Sequence, residues 1–389
     1  MGDGGAVDDP ADVPGRVEIG EMSPAMRSAL LEVLIHGELP RAEIARRLHL
    51  SRASLTRITR ALVDAGLLAE GETRLMAQTG RPSELLSLRA DARHFLGVKL
   101  TGDTLYAVVT DLAATIVAST ERPLRSREVA DVVAEIAETS RAFATEFPGL
   151  TSIGIAIAGR VSRARDAAVV ERSAFLDWTD VPLGALVREE TGLPCVVEND
   201  VQALTATEHW FGAGAGIDDM ALVTVGVGIG CGLVVNGRPV EGAHSRAGQL
   251  SHLIVDEGGP PCGLGHRGCV SSLLVNGSIV AAYGRPDVDY AGVVAAARGG
   301  DVRASRVFAD AGRALGVMIA TVANLVDPRK IVLTGDGIAV VELAGDALRS
   351  AVDERLDEDA APVDLDVRTW DFSEWARAGA GLAIRALLA

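Results

Sequence analysis

Cysteine is scarce in this chain: there are four in 389 residues, Cys195, Cys231, Cys262 and Cys269. That is too few to staple a protein of this size, so its fold does not rest on disulfides, and a reducing, cytoplasmic setting is expected. Long apolar runs are lacking too. None reads as reaching the ~20 residues that cross a bilayer, so a membrane protein is not expected. The opening MGDGGAVDDPADVPGR is acidic and has no apolar segment, which excludes a secretory signal. Residues 1–21 read instead as a disordered leader. The Met-Gly start has no Ser or Thr at the sixth position, which counts against myristoylation. Basic charge is in deficit: 37 Lys and Arg face 53 Asp and Glu, a net charge of −16. This argues against a surface coated for nucleic acid. What remains is ordinary for a globular protein, 48% hydrophobic and 23% charged. Its length calls for two or three domains.

The charge is uneven. Residues 22–90 hold ten arginines and seven carboxylates, a small basic module on an acidic body. Three helical patterns occur there. The first places Leu30, Leu31, Leu34 and Ile35 on one face and stops at Gly37. Pro40 opens a second, Arg41 to Leu48, with Ile44 and Leu48 inward. A third starts at Ser51, a good N-cap, with Leu55, Ile58 and Leu62 spaced three and four apart, and ends at Gly66. Two short helices joined by a tight turn make a helix-turn-helix. Off the apolar face the third helix carries Arg52, Ser54, Thr56, Arg57 and Arg60, donors suited to phosphates and base edges. Arg41, Ser51 and Ala53 complete the expected DNA-facing set. The segment after it reads as two strands around a polar turn, a wing with Gly80 and Arg81 at its tip, where an arginine suits a minor groove. The competing interpretation is a helical protein-interaction module whose arginines form a solvated face.

From residue 94 to 389 strands alternate with helices, implying α/β layers in two lobes with a ligand cleft between them. HFLGVKL, LYAVVTDL and ATIVAST read as consecutive strands, and AVVELAGDALRSAVDERL reads as one helix. GVGIGCGLVVNG (226–237) alternates glycine with apolar residues, as in a hairpin whose backbone approaches a phosphate or sugar, or a tight turn with no ligand. VEND (197–200) ends a strand on Asn199 and Asp200, either a general base in a cleft or an Asx-type turn.

Taken together, the helix-turn-helix, the GRP wing, GIAIAG, VEND, GVGIGCGLVVNG, GAHSRAGQLSH and PPCGLGHRGC resemble the ROK family, and most nearly its xylose-repressor-type regulators. The resemblance implies an α/β fold: an N-terminal winged helix-turn-helix followed by a two-lobed actin-like ATPase domain of the sugar-kinase type. It implies a homodimer or dimer of dimers, a pseudo-palindromic operator and a sugar-related effector. Its ligand residues map to Gly159, Arg160, Asn199, Asp200, Gln249, His252 and Ser271. Several of these depart from the family pattern. The family kinases open with D-x-G-G-T; here Lys99 replaces the metal-binding aspartate and Thr101 a glycine. A lysine cannot hold Mg²⁺, so neither ATP nor Mg²⁺ is expected, no residue is expected to be catalytic, and Asp200 is a vestigial kinase base. In the sugar pocket, Gln249 and Ser271 replace glutamates and Phe175 replaces an asparagine, which points to a smaller, less hydroxylated or differently substituted ligand, or to none. Two other readings follow: an ATP-dependent sugar kinase with an appended DNA-binding domain, and a ligand-independent regulator.

CGLGHRGC (262–269) matches the family's zinc loop at Cys262 and Cys269, with His252 upstream. Leu264 stands where the family has a third cysteine. Zinc held by His252, Cys262 and Cys269, with His266 or water completing the set, stands beside two alternatives: a metal-free glycine loop and a Cys262–Cys269 disulfide.

Overall fold

A computed structural model describes residues 22–75, 82–164, 167–369 and 371–388. The amino-terminal unit follows the apolar spacing. Helix α1 (Pro24–His36) is capped by the Ser23 hydroxyl, which accepts from the Met26 amide at 3.3 Å. Its buried face is Ala29, Leu30 and Val33; the expected Leu31, Leu34 and Ile35 are half-buried beside it. A two-residue strand, β1 (Leu39–Pro40), leads into α2 (Arg41–Arg47). The turn bends through His49 at φ 52° into α3 (Arg52–Asp64). Ser51 caps α3 by accepting from the Ser54 amide at 3.1 Å, and Leu55, Ile58 and Leu62 are buried as their spacing predicts. Strands β2 (Leu68–Leu75) and β3 (Pro82–Leu88) pair antiparallel, and β1 adds to β3. The wing tip, with Gly80 and Arg81, lies outside the described residues.

The body is built from two sheets of matching topology. The first contains β4 (His94–Leu100), β5 (Thr104–Thr110) and β6 (Ile116–Pro123), then β7 (Leu150–Ile157) after α4 (Val129–Glu146). A small side sheet follows, of β8 (Arg160–Ala164), β9 (Ala167–Ser173) and β10 (Trp178–Val181). Helix α5 (Leu183–Thr191) then leads to β11 (Cys195–Asn199), and the order is β11-β7-β4-β5-β6. Helix α6 (Asp200–Phe211) crosses to the second lobe. There β12 (Met220–Val225), β13 (Ile229–Val235) and β14 (Arg238–Pro239) precede α7 (Val270–Leu274), α8 (Asn276–Tyr283), α9 (Tyr290–Arg298) and α10 (Val302–Val326). Next come β15 (Lys330–Thr334), α11 (Ala339–Leu343), α12 (Gly345–Arg355) and β16 (Leu365–Val367), giving the order β14-β13-β12-β15-β16. Each sheet is three antiparallel strands followed by two parallel ones. The carboxyl ends of its parallel strands open on a shared crevice, the usual ligand position in such sheets.

Two expectations change. The segment expected to be one helix over 339–356 breaks at Ala344 into α11 and α12; Gly312 of α10 comes against Ala344 there, leaving no room for a side chain. Helix α10 is by length and composition apolar enough to cross a membrane, contrary to the sequence expectation. Its apolar residues, including Phe308, Leu315 and Ile319, are instead spent in the core of the second lobe.

The last helix, α13 (Phe372–Leu388), packs across β4, β7 and α6. A side chain at Gly379 would strike the Gly154 backbone, and one at Gly154 would strike Gly379. Helix and sheet meet backbone to backbone, a contact only glycine permits. We expect Gly379→Ala to cost about 1–3 kcal/mol, the usual penalty of overpacking, read as a lower urea midpoint with unchanged slope. An unchanged midpoint would show that the helix shifts freely.

Candidate functional site

A cleft of about 700 Å³ lies where β4, β7, β11, β12 and β15 end, within the size range of small-molecule sites. At its base, Lys99 from β4 meets Asp200, the first residue of α6, at 2.5 Å. Lys99 is one of only two lysines in the chain and is 4% exposed. Its ammonium also sits 5.3 Å from the centre of the Trp375 ring on α13, within cation–π range. The second Asp200 oxygen accepts from the Val201 amide at 3.0 Å. Asn199 caps α6: its side-chain oxygen accepts from Val201 and Gln202 amides, and its nitrogen donates to the Gly159 carbonyl at 2.9 Å. VEND therefore forms the Asx cap and places the aspartate in the cleft at the same time.

Of the expected ligand residues, Gly159, Asn199, Asp200 and Gln249 line the cleft. Arg160 does not; it is exposed, its Nε 4.0 Å from Glu171. Ser271 does not either, its backbone being tied to Ser251 and Ser278. His252 belongs to the cysteine cluster described below. Sequence reasoning left out Gln202, Asp336, Phe372 and Trp375, all of which line the cleft. The glycines of 226–230 form the β12–β13 turn on its wall, opposite Asp336. Asp103, Asp200, Asp336 and Asp371 outnumber Lys99 and Arg127 there. Hydrogen bonds from the Ser373 hydroxyl and nearby amides hold the Asp371 carboxyl below its usual range. Burial pushes the Cys231 thiol up to about 12, so it stays neutral. Burial, with help from Asp336, pushes the nearby Tyr290 hydroxyl up to about 12.

At the metal-type loop, His252, Cys262, His266 and Cys269 bring their ligating atoms within 4.8 Å of one another. The His252 Nδ1 is 3.5 Å from the Cys262 sulfur and 3.7 Å from that of Cys269. Zn–S near 2.3 Å and Zn–N near 2.0 Å in a tetrahedron require N···S edges of about 3.5 Å. The His266 Nε2 is buried without a hydrogen-bond partner, as a ligating nitrogen would be. All four cysteines are free in this structure.

On α3, Arg52, Ala53, Thr56, Arg57 and Arg60 are exposed. Ser51 and Ser54 are engaged in the cap, and the Thr56 hydroxyl donates to the Arg52 carbonyl. Among the described residues, Arg52, Arg57 and Arg60 make no ion pair. Arg41, expected on DNA, instead ties the unit together. Its guanidinium bonds Glu84 at 2.7 Å, Glu70, and the Thr59 hydroxyl at 3.1 Å, so α2 is fastened to β2, β3 and α3.

The ROK family model matches residues 95–381. The chain is 26% identical over 369 residues to the DNA-binding transcriptional repressor Mlc of Escherichia coli K12, covering 89% of each. It is 29% identical over 293 residues to a glucokinase of Halalkalibacterium halodurans, covering 69% of this chain and 87% of that one. Among solved structures, a ROK family transcriptional regulator described as a homolog of E. coli MLC superposes with a TM-score of 0.78 at 25% identity, covering 94% of this chain and 96% of that one.

The ion pair can be tested by stability. Asp200→Ala strands the buried Lys99 charge and should cost about 3 kcal/mol, whereas the double replacement Lys99→Met with Asp200→Leu should fall within about 1 kcal/mol of the wild type. Urea unfolding of these proteins checks this. Additive losses in the double variant would mean that the two charges are not coupled.

Proposed function

The chain belongs to the ROK family, and from that premise we propose that it is a sequence-specific transcriptional regulator, acting as a repressor, whose grip on DNA responds to a carbohydrate-related molecule in the cleft. The observation that carries this reading is a single continuous core. Leu30, Leu55, Leu62 and Leu86 of the winged helix cluster with Phe95, Leu112, Trp210, Ile384 and Leu388 of the body. Helix α6 starts at Asp200 in the cleft and reaches that core at Trp210; α13 starts at Phe372 and Trp375 in the cleft and reaches it at Leu388. Two rigid rods thus join the effector site to the DNA-binding unit. An effector that binds one arrangement of the lobes better than the other shifts the recognition helices with them. The protein acts in the cytoplasm as a homodimer or dimer of dimers on a pseudo-palindrome with half-sites one or two helical turns apart.

A kinase reading draws on the glucokinase relative and on Asp200. Lys99 opposes it: the lysine replaces a metal-holding carboxylate and occupies the oxygen a base would use. Phosphoryl transfer depends on metal and backbone donors at the transferring group, so ATP and Mg²⁺ have no part in this reading.

Selection from random duplexes tests the regulatory reading. Full-length protein should enrich a palindrome that a chain starting at Arg93 does not. Arg57→Ala should weaken that binding by about 1–3 kcal/mol while the fold stays intact. No enriched sequence, with or without sugars present, would refute it.

We assign His252, Cys262, His266 and Cys269 as the residues that hold zinc, with His266 taking the place that Leu264 cannot fill. Bound there, zinc supplies a structural cross-link between the segment at 252 and the loop at 262–269 rather than any reaction. Metal analysis of the purified protein should give one zinc per chain, and His266→Ala should lower both zinc retention and the melting temperature. Full retention by that variant would remove His266 from the set.

A further inference from the structure

The cleft walls say what class of ligand they suit. Asn199 and Asp200, the pair that would hold hydroxyls, are largely spent on each other's surroundings: the Gly159 carbonyl, the first amides of α6 and Lys99. Gln202 and Gln249 are the remaining neutral amides on the wall. Apolar surface, by contrast, stands open. Phe175, at the turn between β9 and β10, is 47% exposed, and Phe372, at the start of α13, is 43% exposed; both line the cleft. Phe372 is held in place by stacking on Tyr106 with ring centres 4.5 Å apart. Large apolar side chains left open in a concave site mark a ligand surface. The surplus of carboxylates over cations on the wall disfavours an anion such as a sugar phosphate.

The geometry points to a neutral glycoside carrying an aromatic aglycone as the ligand of this cleft, a conclusion that rests on the cleft being the effector site. The aromatic ring is received by Phe175 and Phe372. The sugar hydroxyls fall to Gln202, Gln249, the wall carboxylates Asp103 and Asp336, and the ammonium hydrogens that Lys99 does not give to Asp200. Phe175 is then the specificity-determining residue, since a polar side chain there would favour a hydroxyl over a ring.

Titration calorimetry of the full-length protein tests this. The probes are the phenyl α- and β-glycosides of glucose, galactose, mannose, xylose and N-acetylglucosamine, each parent sugar, and glucose 6-phosphate. At least one phenyl glycoside should bind about tenfold or more tightly than its parent sugar, as stacking and burial of one ring require. Phe175→Asn, at an exposed position that does not threaten folding, should shrink that advantage to about threefold or less. A parent sugar or glucose 6-phosphate that binds as tightly as every phenyl glycoside would overturn the proposal, as would binding by none of the probes. Repeating the titration with selected operator DNA separates the two readings. A phenyl glycoside that binds but leaves DNA affinity unchanged would contradict the regulatory role while the ligand assignment stands.

Discussion

The ion pair between Lys99 and Asp200 is the constraint on which the cleft depends. It joins the end of β4 to the start of α6, and Trp375 brings α13 against the same ammonium. A buried charge of this kind is tolerated only with a close partner, so three elements are held in register at one point. The same contact decides the chemistry. In the proposed reading, Asp200 is engaged by Lys99 and by the Val201 amide rather than acting as a base, and Lys99 takes the position of the metal-holding carboxylate of the family kinases.

The arrangement also explains how a site in the body bears on a surface elsewhere. Helices α6 and α13 each begin at the cleft and end in the apolar core shared with the winged helix. The backbone contact between Gly154 and Gly379 leaves α13 little freedom to slide on the sheet. Close-packed interiors transmit displacement rather than absorb it. Arg41 stiffens the far end by fastening α2 to β2, β3 and α3, so the recognition helix moves with its wing.

Local patterns made much of this legible in the sequence. Ser51 and the spacing of Leu55, Ile58 and Leu62 mark α3 because cap and periodicity are short-range properties. Asn199 and Asp200 were visible as a strand end. What stayed hidden depends on distant partners. Nothing near Arg41 says that Glu70 and Glu84 will meet it. Lys99 reads as a substituted aspartate, and only the fold brings Asp200 to it from 101 residues away. Trp375 and Phe372 sit in an ordinary amphipathic helix, and the cleft claims them only because α13 returns to the first sheet. Arg160 and Ser271 lie off the cleft lining although their sequence neighbourhoods fit. At the metal-type loop the spacing marked His252, Cys262 and Cys269 and left His266 or water as the fourth ligand; the turn between the two cysteines brings His266 to the other three.

The central claim is that this cleft senses and does not catalyse. It is tested most directly by incubating the full-length protein with Mg²⁺ and γ-labelled ATP in the presence of a panel of hexoses. The account predicts no labelled sugar above the level of a protein-free control. Labelled sugar whose formation is lost in Asp200→Asn would contradict it, because Asp200 would then be acting as a base despite its bond to Lys99.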